Sequence, residues 1–347
     1  MRRSARAARG RWSAIRWDAW YAPRDPVTEA VERSLAPPRY HYRLPFFAKV
    51  KPDSSVEIDG GHRETIDREI AYAERAGLDY WAFVWYGPAS PMNTALRLYR
   101  DSPRHRAVNF CLIATLGQWN GRGGYHDVVA QQAEYTADPA YQRVLEGRPL
   151  FYLAFVTPEI VQRDWGVIDA VRDAVGVLRD AVRGKSGATP YVVLMATGAA
   201  GAGELAKKVG ADAVGAYAPH ADRRAAPYAR LAAEAVEFWD ALAAHGLDVV
   251  PTVMTGWDRR PRIEHPVPWE PYQQPGIGLD LYYETARPDQ IAAHLRNCLR
   301  WIDGHPRAAP ARVALIYAWN ENDEGGWLIP TYPHDTGRIE AVRKALR

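Results

Sequence analysis

The segment Trp319-Asn320-Glu321-Asn322-Asp323-Glu324-Gly325-Gly326 gathers two glutamates three residues apart, an aspartate, two asparagines and a tryptophan. It directly follows the apolar, β-rich run 313–318, so the acids stand at the carboxyl end of what reads as a buried strand. A carboxyl pair can divide general-acid and general-base work, and a neighbouring aromatic ring can hold the apolar face of a sugar. Glu321 and Glu324 are therefore the candidate catalytic residues, and hydrolysis of a glycosidic bond is the chemistry they suit. The bland reading is a polar turn whose acids cap the next helix, and for an isolated E-x-x-E it is the commoner one. The surrounding elements decide between the two.

Strand and helix signals alternate along almost the whole chain. Strands are expected over 15–21, 79–86, 108–116, 150–156, 191–195, 213–217, 248–254 and 313–319. Helices are expected over 62–76, 92–99, 126–146 (interrupted at Pro139), 158–182, 204–209, 228–245, 289–302 and 338–346. The second to eighth strands are near-continuous apolar runs, as parallel strands covered on both faces require. Eight strand–helix units in unbroken alternation predict a single-domain (β/α)8 TIM barrel over 14–347, preceded by a basic, disordered tail over 1–13. A doubly wound open sheet is the alternative, but Trp17-Asp18-Ala19-Trp20-Tyr21 is unlike the glycine-rich phosphate loop that such a sheet carries after its first strand.

A barrel of this kind builds its site at the carboxyl ends of the strands. Those ends carry Asp18, Trp20 and Tyr21; Trp85 and Tyr86; Gln118, Trp119 and Asn120; Thr157 and Glu159; Thr197; Tyr217 and His220; Trp257, Asp258, Arg259, Arg260 and Arg262; and Trp319 with Asn320. Turn chemistry alone favours Gly, Asp, Ser and Asn there, not tryptophan. From this set Asp18, Trp20, Trp85, Tyr86, Gln118, Trp119, Tyr217, Trp257, Asp258, Trp319 and Asn320 are the candidate substrate-binding residues. Structural readings stand beside several of them. Asp18 can equally pair with a buried arginine, Trp81 reads as packing, and the Arg259/Arg260/Arg262 cluster reads first as a loop anchor against Asp258 and Glu264. His41 and His220 read as hydrogen-bonded structural histidines.

Composition narrows the partners. With 347 residues the chain has the length of one large barrel. Its net charge of +3, from 44 basic and 41 acidic residues, gives no ground for a nucleic-acid partner. Thirteen Trp and 19 Tyr against seven Phe favour a ligand that needs flat apolar faces with polar edges, as a carbohydrate does. Cys111 and Cys298 are too few and too far apart for a disulfide framework, and no metal-binding motif occurs, so neither cofactor nor metal is expected. No run is long enough to span a membrane and no secretory signal is legible, so the chain as written reads as cytoplasmic, with a longer native N-terminus leaving room for export. Oligomeric state is not legible.

Three stretches carry a family resemblance: 76–86 (Ala-Gly-Leu-Asp-Tyr-Trp-Ala-Phe-Val-Trp-Tyr), Gly256-Trp257-Asp258 with Pro261-Arg262, and Trp319-Asn320-Glu321 with Glu324-Gly325. They resemble the WbsX-like group, which is related to glycoside hydrolase family 99, the endo-α-mannosidases and endo-α-mannanases. The resemblance runs over about residues 15–330 and is sharpest at the C-terminal motif. It implies a (β/α)8 barrel and a retaining, metal-independent glycosidase acting on an α-linked poly- or oligosaccharide, mannan-like or a bacterial surface glycan. It further implies that Glu321 acts as base on the sugar 2-hydroxyl, through a 1,2-anhydro intermediate, and Glu324 as acid. The family's Trp-His between the glutamates is Asn322-Asp323 here, and the added charge of Asp323 is expected to raise a neighbour's pKa. A non-hydrolytic carbohydrate-binding or polysaccharide-biosynthesis barrel is the alternative function.

Overall fold

The structure, a computed structural model, describes residues 11–347. Eight parallel strands form the barrel: β1 (Arg11–Arg16), β2 (Tyr80–Val84), β3 (Asn109–Thr115), β4 (Arg148–Ala154), β5 (Tyr191–Met195), β6 (Ala213–Gly215), β7 (Thr252–Met254) and β8 (Val313–Tyr317). Their order is β7-β8-β1-β2-β3-β4-β5-β6. The remaining seam, between β6 and β7, is closed by a Val214–Val249 bridge and by Thr252 Oγ1 donating to the Ala216 carbonyl at 2.6 Å. Pro251 accepts from Leu315 of β8 but has no N–H to give back to that strand, and β7 begins only after it, at Thr252 rather than the expected 248. The expected (β/α)8 barrel is therefore the observed fold, nearly closed and in one domain.

Helices clothe it: α1 (Pro26–Leu35), α2 (Arg63–Ala76), α3 (Thr94–Asp101), α4 (Gly121–Tyr135), α5 (Ile168–Ser186), α6 (Ala202–Val209), α7 (Tyr228–Ala244), α8 (Pro288–Gly304) and α9 (Gly337–Ala345). Among the described residues, no helix is long and apolar enough to cross a membrane. Along β2 the two-residue period sorts side chains cleanly. Trp81 and Phe83 face the helix layer, where both rings lie against Tyr99 of α3. Tyr80 faces the opposite way and shares a 3.0 Å hydroxyl contact with Tyr152 of β4.

Several boundaries differ from the expectation. The first strand spans Arg11–Arg16 rather than 15–21, because Trp17 leaves the ladder to bond with Asn320: its N–H donates to Asn320 Oδ1 and its carbonyl accepts from Nδ2, both at 3.0 Å. Residues 11–13 thus belong to the strand, and the rest of the expected tail lies outside the described residues. The Pro-rich excursion after β1 contains α1, started by the Asp25 side chain accepting from Val27 N–H with proline at the first turn. The long helix expected over 158–182 breaks at Gly166, and the one expected over 126–146 ends at Tyr135.

One buried histidine makes acid sensitivity a property of the scaffold. His294 of α8 lies flat on Trp239 of α7, centroids 5.5 Å apart and planes 4° apart, and its Nε2 has no hydrogen-bond partner among the described residues. Burial lowers its pKa from 6.5 to about 4. The unfolded chain then takes up a proton that the folded one refuses, so stability is lost as pH falls from about 6.5 towards 4. The full loss from this group is on the order of 3 kcal/mol. His294→Phe is expected to flatten that part of the stability profile in urea titrations at successive pH values; an unchanged acid slope excludes His294 as its source.

Candidate active site

After β8 the chain folds into a small antiparallel ribbon, Asn320–Glu321 against Gly326–Trp327, that encloses the single 3-10 turn Asn322–Glu324. Gly325 adopts φ +86°, and a Cβ at Gly256, in the turn after β7, would overlap the Gly325 carbonyl. The two turns can touch only because both positions lack side chains. Asp258 N–H then donates to the Glu324 carbonyl at 2.7 Å, locking the β7 turn to the acidic motif.

This packing turns Glu321 and Glu324 into one cavity of about 480 Å³ at the carboxyl ends of the strands. Tyr217, Phe155, Trp257, His220, Tyr86, Trp17 and Trp269 line it as well, as do Arg259, Arg262, Glu270 and Tyr272. A second chamber of about 360 Å³ shares His220, Trp257, Arg259 and Tyr272 with the first and opens beside it. Both glutamates are buried. Tyr217 Oη donates to Glu321 Oε1 at 2.6 Å, and Tyr317 Oη donates to Glu324 Oε2.

Arg262, from the helical turn Arg260–Glu264, sits between them. Its Nε and Nη2 reach Asp323 at 2.7 and 3.2 Å, Nη1 donates to Glu324 and, at 3.2 Å, to Glu270, and Nη2 stands 3.5 Å from Glu321. Its guanidinium also lies over Trp17 (4.9 Å) and Trp269 (5.5 Å). Arg259 pairs with Glu270 and approaches Glu324 at 3.3 Å. Four carboxyl groups therefore share two guanidiniums.

The two glutamates are not equivalent. Burial pushes Glu321 well above the usual carboxylate range, and the charge of Glu324 pushes it further; Arg262 and the Tyr217 hydroxyl oppose this without overcoming it. Burial also acts upward on Glu324, but Arg262, Arg259 and the Tyr317 hydroxyl outweigh it and hold its carboxyl below the usual range. The two shifts run in opposite directions, Glu321 upward and Glu324 downward. Asp323 adds a smaller upward push on Glu321, in the sense expected of it. Among the described residues, no group of three His, Cys, Asp or Glu side chains could hold a metal ion.

Of the expected site residues, Glu321, Glu324, Tyr86, Tyr217 and Trp257 meet at the cavity. The others do not line it. Asp18 is buried against Arg16, Nε to Oδ1 3.1 Å, and accepts from Asn320 at 3.2 Å. Asn320 is spent on Trp17 and Asp18, joining β1 to the motif. Trp319 faces the helix layer, donating to Glu69 of α2 at 2.6 Å and packing on Trp81 at 5.1 Å. Trp20 and Trp85 are buried; the two-residue period puts Trp85 on the side of Trp81 and Tyr86 on the cavity side. Trp119 is buried, bonded to Gln132 at 3.0 Å, and Gln118 beside it stays half-buried outside the cavity. Asp258 anchors the loop that carries Arg262 by pairing with Arg43 and Arg260. Arg259, Arg262 and His220, named at the strand ends but read as structural, also line the cavity, and Glu270, Trp269, Tyr272, Phe155 and Trp17 were not foreseen there.

No family model matches the chain, and neither does any curated protein. Solved structures do. A family 99 endo-α-mannosidase from Bacteroides thetaiotaomicron is 13% identical, with 96% of this chain and 98% of that one covered at a TM-score of 0.59. A glycoside hydrolase-like protein is 11% identical over 98% of this chain and 94% of its own, at 0.57. A family 1 β-glucosidase from Thermotoga maritima is 9% identical over 97% and 98%, at 0.52. At such identities the likeness is one of fold: this chain shares, end to end, the barrel on which those proteins are built.

Arg262→Met leaves four buried carboxyl groups with one guanidinium, and a loss of about 3–5 kcal/mol in urea unfolding is expected. Trp319→Phe removes only the indole donor to Glu69, and a loss of about 1–3 kcal/mol is expected. If Trp319→Phe proves the costlier of the two, the Arg262 cluster is not the dominant restraint.

Proposed function

We propose that this protein is a glycoside hydrolase in which Glu321 and Glu324 form the catalytic pair, Glu321 as acid and then base and Glu324 as nucleophile. The observation that carries the reading is the unequal pair itself: two buried carboxyls whose pKa values are pushed in opposite directions, in an aromatic-lined cavity at the carboxyl end of a (β/α)8 barrel. The end-to-end likeness in fold to glycoside hydrolases supports it. The sequence resemblance points to an α-linked poly- or oligosaccharide, mannan-like or a bacterial surface glycan.

In the proposed reaction Glu321 gives its proton to the leaving oxygen as the C1–O bond breaks. Glu324, ionised beside Arg262 and Arg259, attacks the anomeric carbon and forms a glycosyl ester. Ionised Glu321 then takes a proton from the water that cleaves that ester, so configuration is retained. These roles differ from those the resemblance implies, because Glu324 has two guanidiniums against it, whereas Glu321 has only Arg262, at 3.5 Å. Tyr217 donates to Glu321, and Tyr317 and Arg262 donate to opposite oxygens of Glu324, so the orientation of both carboxyls is fixed. The guanidiniums supply the positive charge in this scheme, so cleavage is expected to persist in EDTA.

The test is hydrolysis of α-mannosides and bacterial surface glycans by the wild type, Glu321→Gln and Glu324→Gln. Both variants are expected to lose at least about 100-fold in kcat. A 2-fluoro glycoside is expected to leave a sugar on Glu324 detectable by mass spectrometry; release that depends strictly on the 2-hydroxyl, with no adduct, returns the roles to the anhydro scheme. Binding without cleavage by the wild type supports the non-hydrolytic reading instead.

The pH profile gives a separate check. The alkaline limb of kcat/KM should lie above the ordinary carboxylate range, since activity needs protonated Glu321. Arg259→Leu removes one cation from Glu324, raising its pKa, and should move the acid limb to higher pH. An acid limb that stays put dissociates Arg259 from the ionisation of Glu324.

A further inference from the structure

We propose that Phe155 is the apolar platform on which the sugar beside Glu321 lies, an assignment that rests on the glycoside reading of this cavity. Phe155 is the residue after β4, and its backbone takes φ +56°, the left-handed region that a bulky side chain rarely adopts. The conformation has a geometric consequence. Tyr152 and Ala154 of β4 face the barrel interior, so strand alternation would send the next side chain towards the helices. Instead Ala154 and Phe155 both line the cavity. The left-handed turn brings the ring round to the same side.

Nothing in the folding of the barrel calls for that arrangement. The Phe155 side chain is 41% exposed, unlike its buried neighbours Ala154 and Val156. An exposed ring on a strained backbone adds little to stability, and strain of this kind collects where a ligand is bound. The ring stands 5.7 Å from Tyr217, tilted by 41°, and Tyr217 is the residue whose hydroxyl holds Glu321. Phe155 therefore stands next to the residue that holds Glu321, on the wall of the same cavity.

The other cavity rings are already engaged. Trp257 has His220 stacked on it at 3.9 Å, and Trp17 and Trp269 have the Arg262 guanidinium over them. Tyr272 also is exposed but belongs equally to the outer chamber. Phe155 offers a ring face beside the acid, and the C–H face of a pyranose is the surface that fits it.

The experiment compares Phe155→Gly, Phe155→Tyr and the wild type by ligand-observed NMR titration with α-mannotriose, maltotriose and cellotriose, alongside thermal melts. Glycine accepts the left-handed backbone, so Phe155→Gly is expected to melt at or above the wild-type temperature while binding the preferred trisaccharide at least about tenfold more weakly. Phe155→Tyr keeps the ring and is expected to bind within about threefold of the wild type. If Phe155→Gly binds as the wild type does, or melts several degrees lower with affinity unchanged, the platform is overturned and the glycoside reading stands. If the wild type binds none of the three sugars, both fall together.

Discussion

The site depends on burying a guanidinium among acids. Arg262 bridges the turn after β7 to the motif after β8 with directional contacts that a lysine could not reproduce, because a planar fork serves Asp323 through two nitrogens and Glu324 and Glu270 through a third. Removing such charges from water is costly unless every one of them is matched. The matching is supplied by close backbone approach at Gly256 and Gly325, which brings the two turns together. Two further buried arginines repeat the device: Arg16 joins β1 to Glu69 of α2, and Arg43 joins the segment after α1 to Asp258. The carboxyl end of the barrel is held by these ion pairs, and the polar groups that line the cavity are fixed by them.

That dependence explains which part of the site was legible in the sequence. The alternation of strands and helices was readable because apolar runs of strand length and helical periods are set locally. The location of Glu321 and Glu324 followed from it. What strand-end residue types do not encode is the side they face. Trp85 and Tyr86 are adjacent and both aromatic, yet only one reaches the cavity. The two-residue period could have separated them, since Trp81 already read as packing and Trp85 is on its side. Asp18, Asn320 and Trp319 were candidates for substrate because they stand at strand ends, with an arginine partner the equal reading for Asp18; they are fasteners, tied to Arg16, Trp17 and Glu69.

Other residues carried no usable signal. Glu270, Trp269 and Tyr272 lie in a long segment between the helical turn at 260–264 and α8, and only tertiary folding returns them to the barrel mouth. Phe155 falls within the expected fourth strand, 150–156, and the left-handed backbone that exposes it has no counterpart in residue type. Arg262 illustrates a subtler limit. Reading it as a loop anchor was sound, but the acids it anchors to turned out to be the candidate catalytic pair and Asp323, so anchoring and electrostatic tuning are one interaction.

The pair Asn322-Asp323, where the family resemblance has Trp-His, now has a physical meaning. Asn322 donates to the Arg43 carbonyl and so fastens the 3-10 turn to the segment that also holds Asp258. Asp323 takes the Nε edge of Arg262 and thereby fixes where its other nitrogens point. With that edge occupied, Nη1 is directed at Glu324 and only Nη2, at 3.5 Å, looks towards Glu321. An aromatic pair at these positions could offer Arg262 no such carboxylate, and the guanidinium would have no reason to favour one glutamate over the other. Asp323 thus helps to aim Arg262 at Glu324, and with Arg259 and the Tyr317 hydroxyl acting on the same carboxyl it adds to the difference between the two glutamates that burial begins.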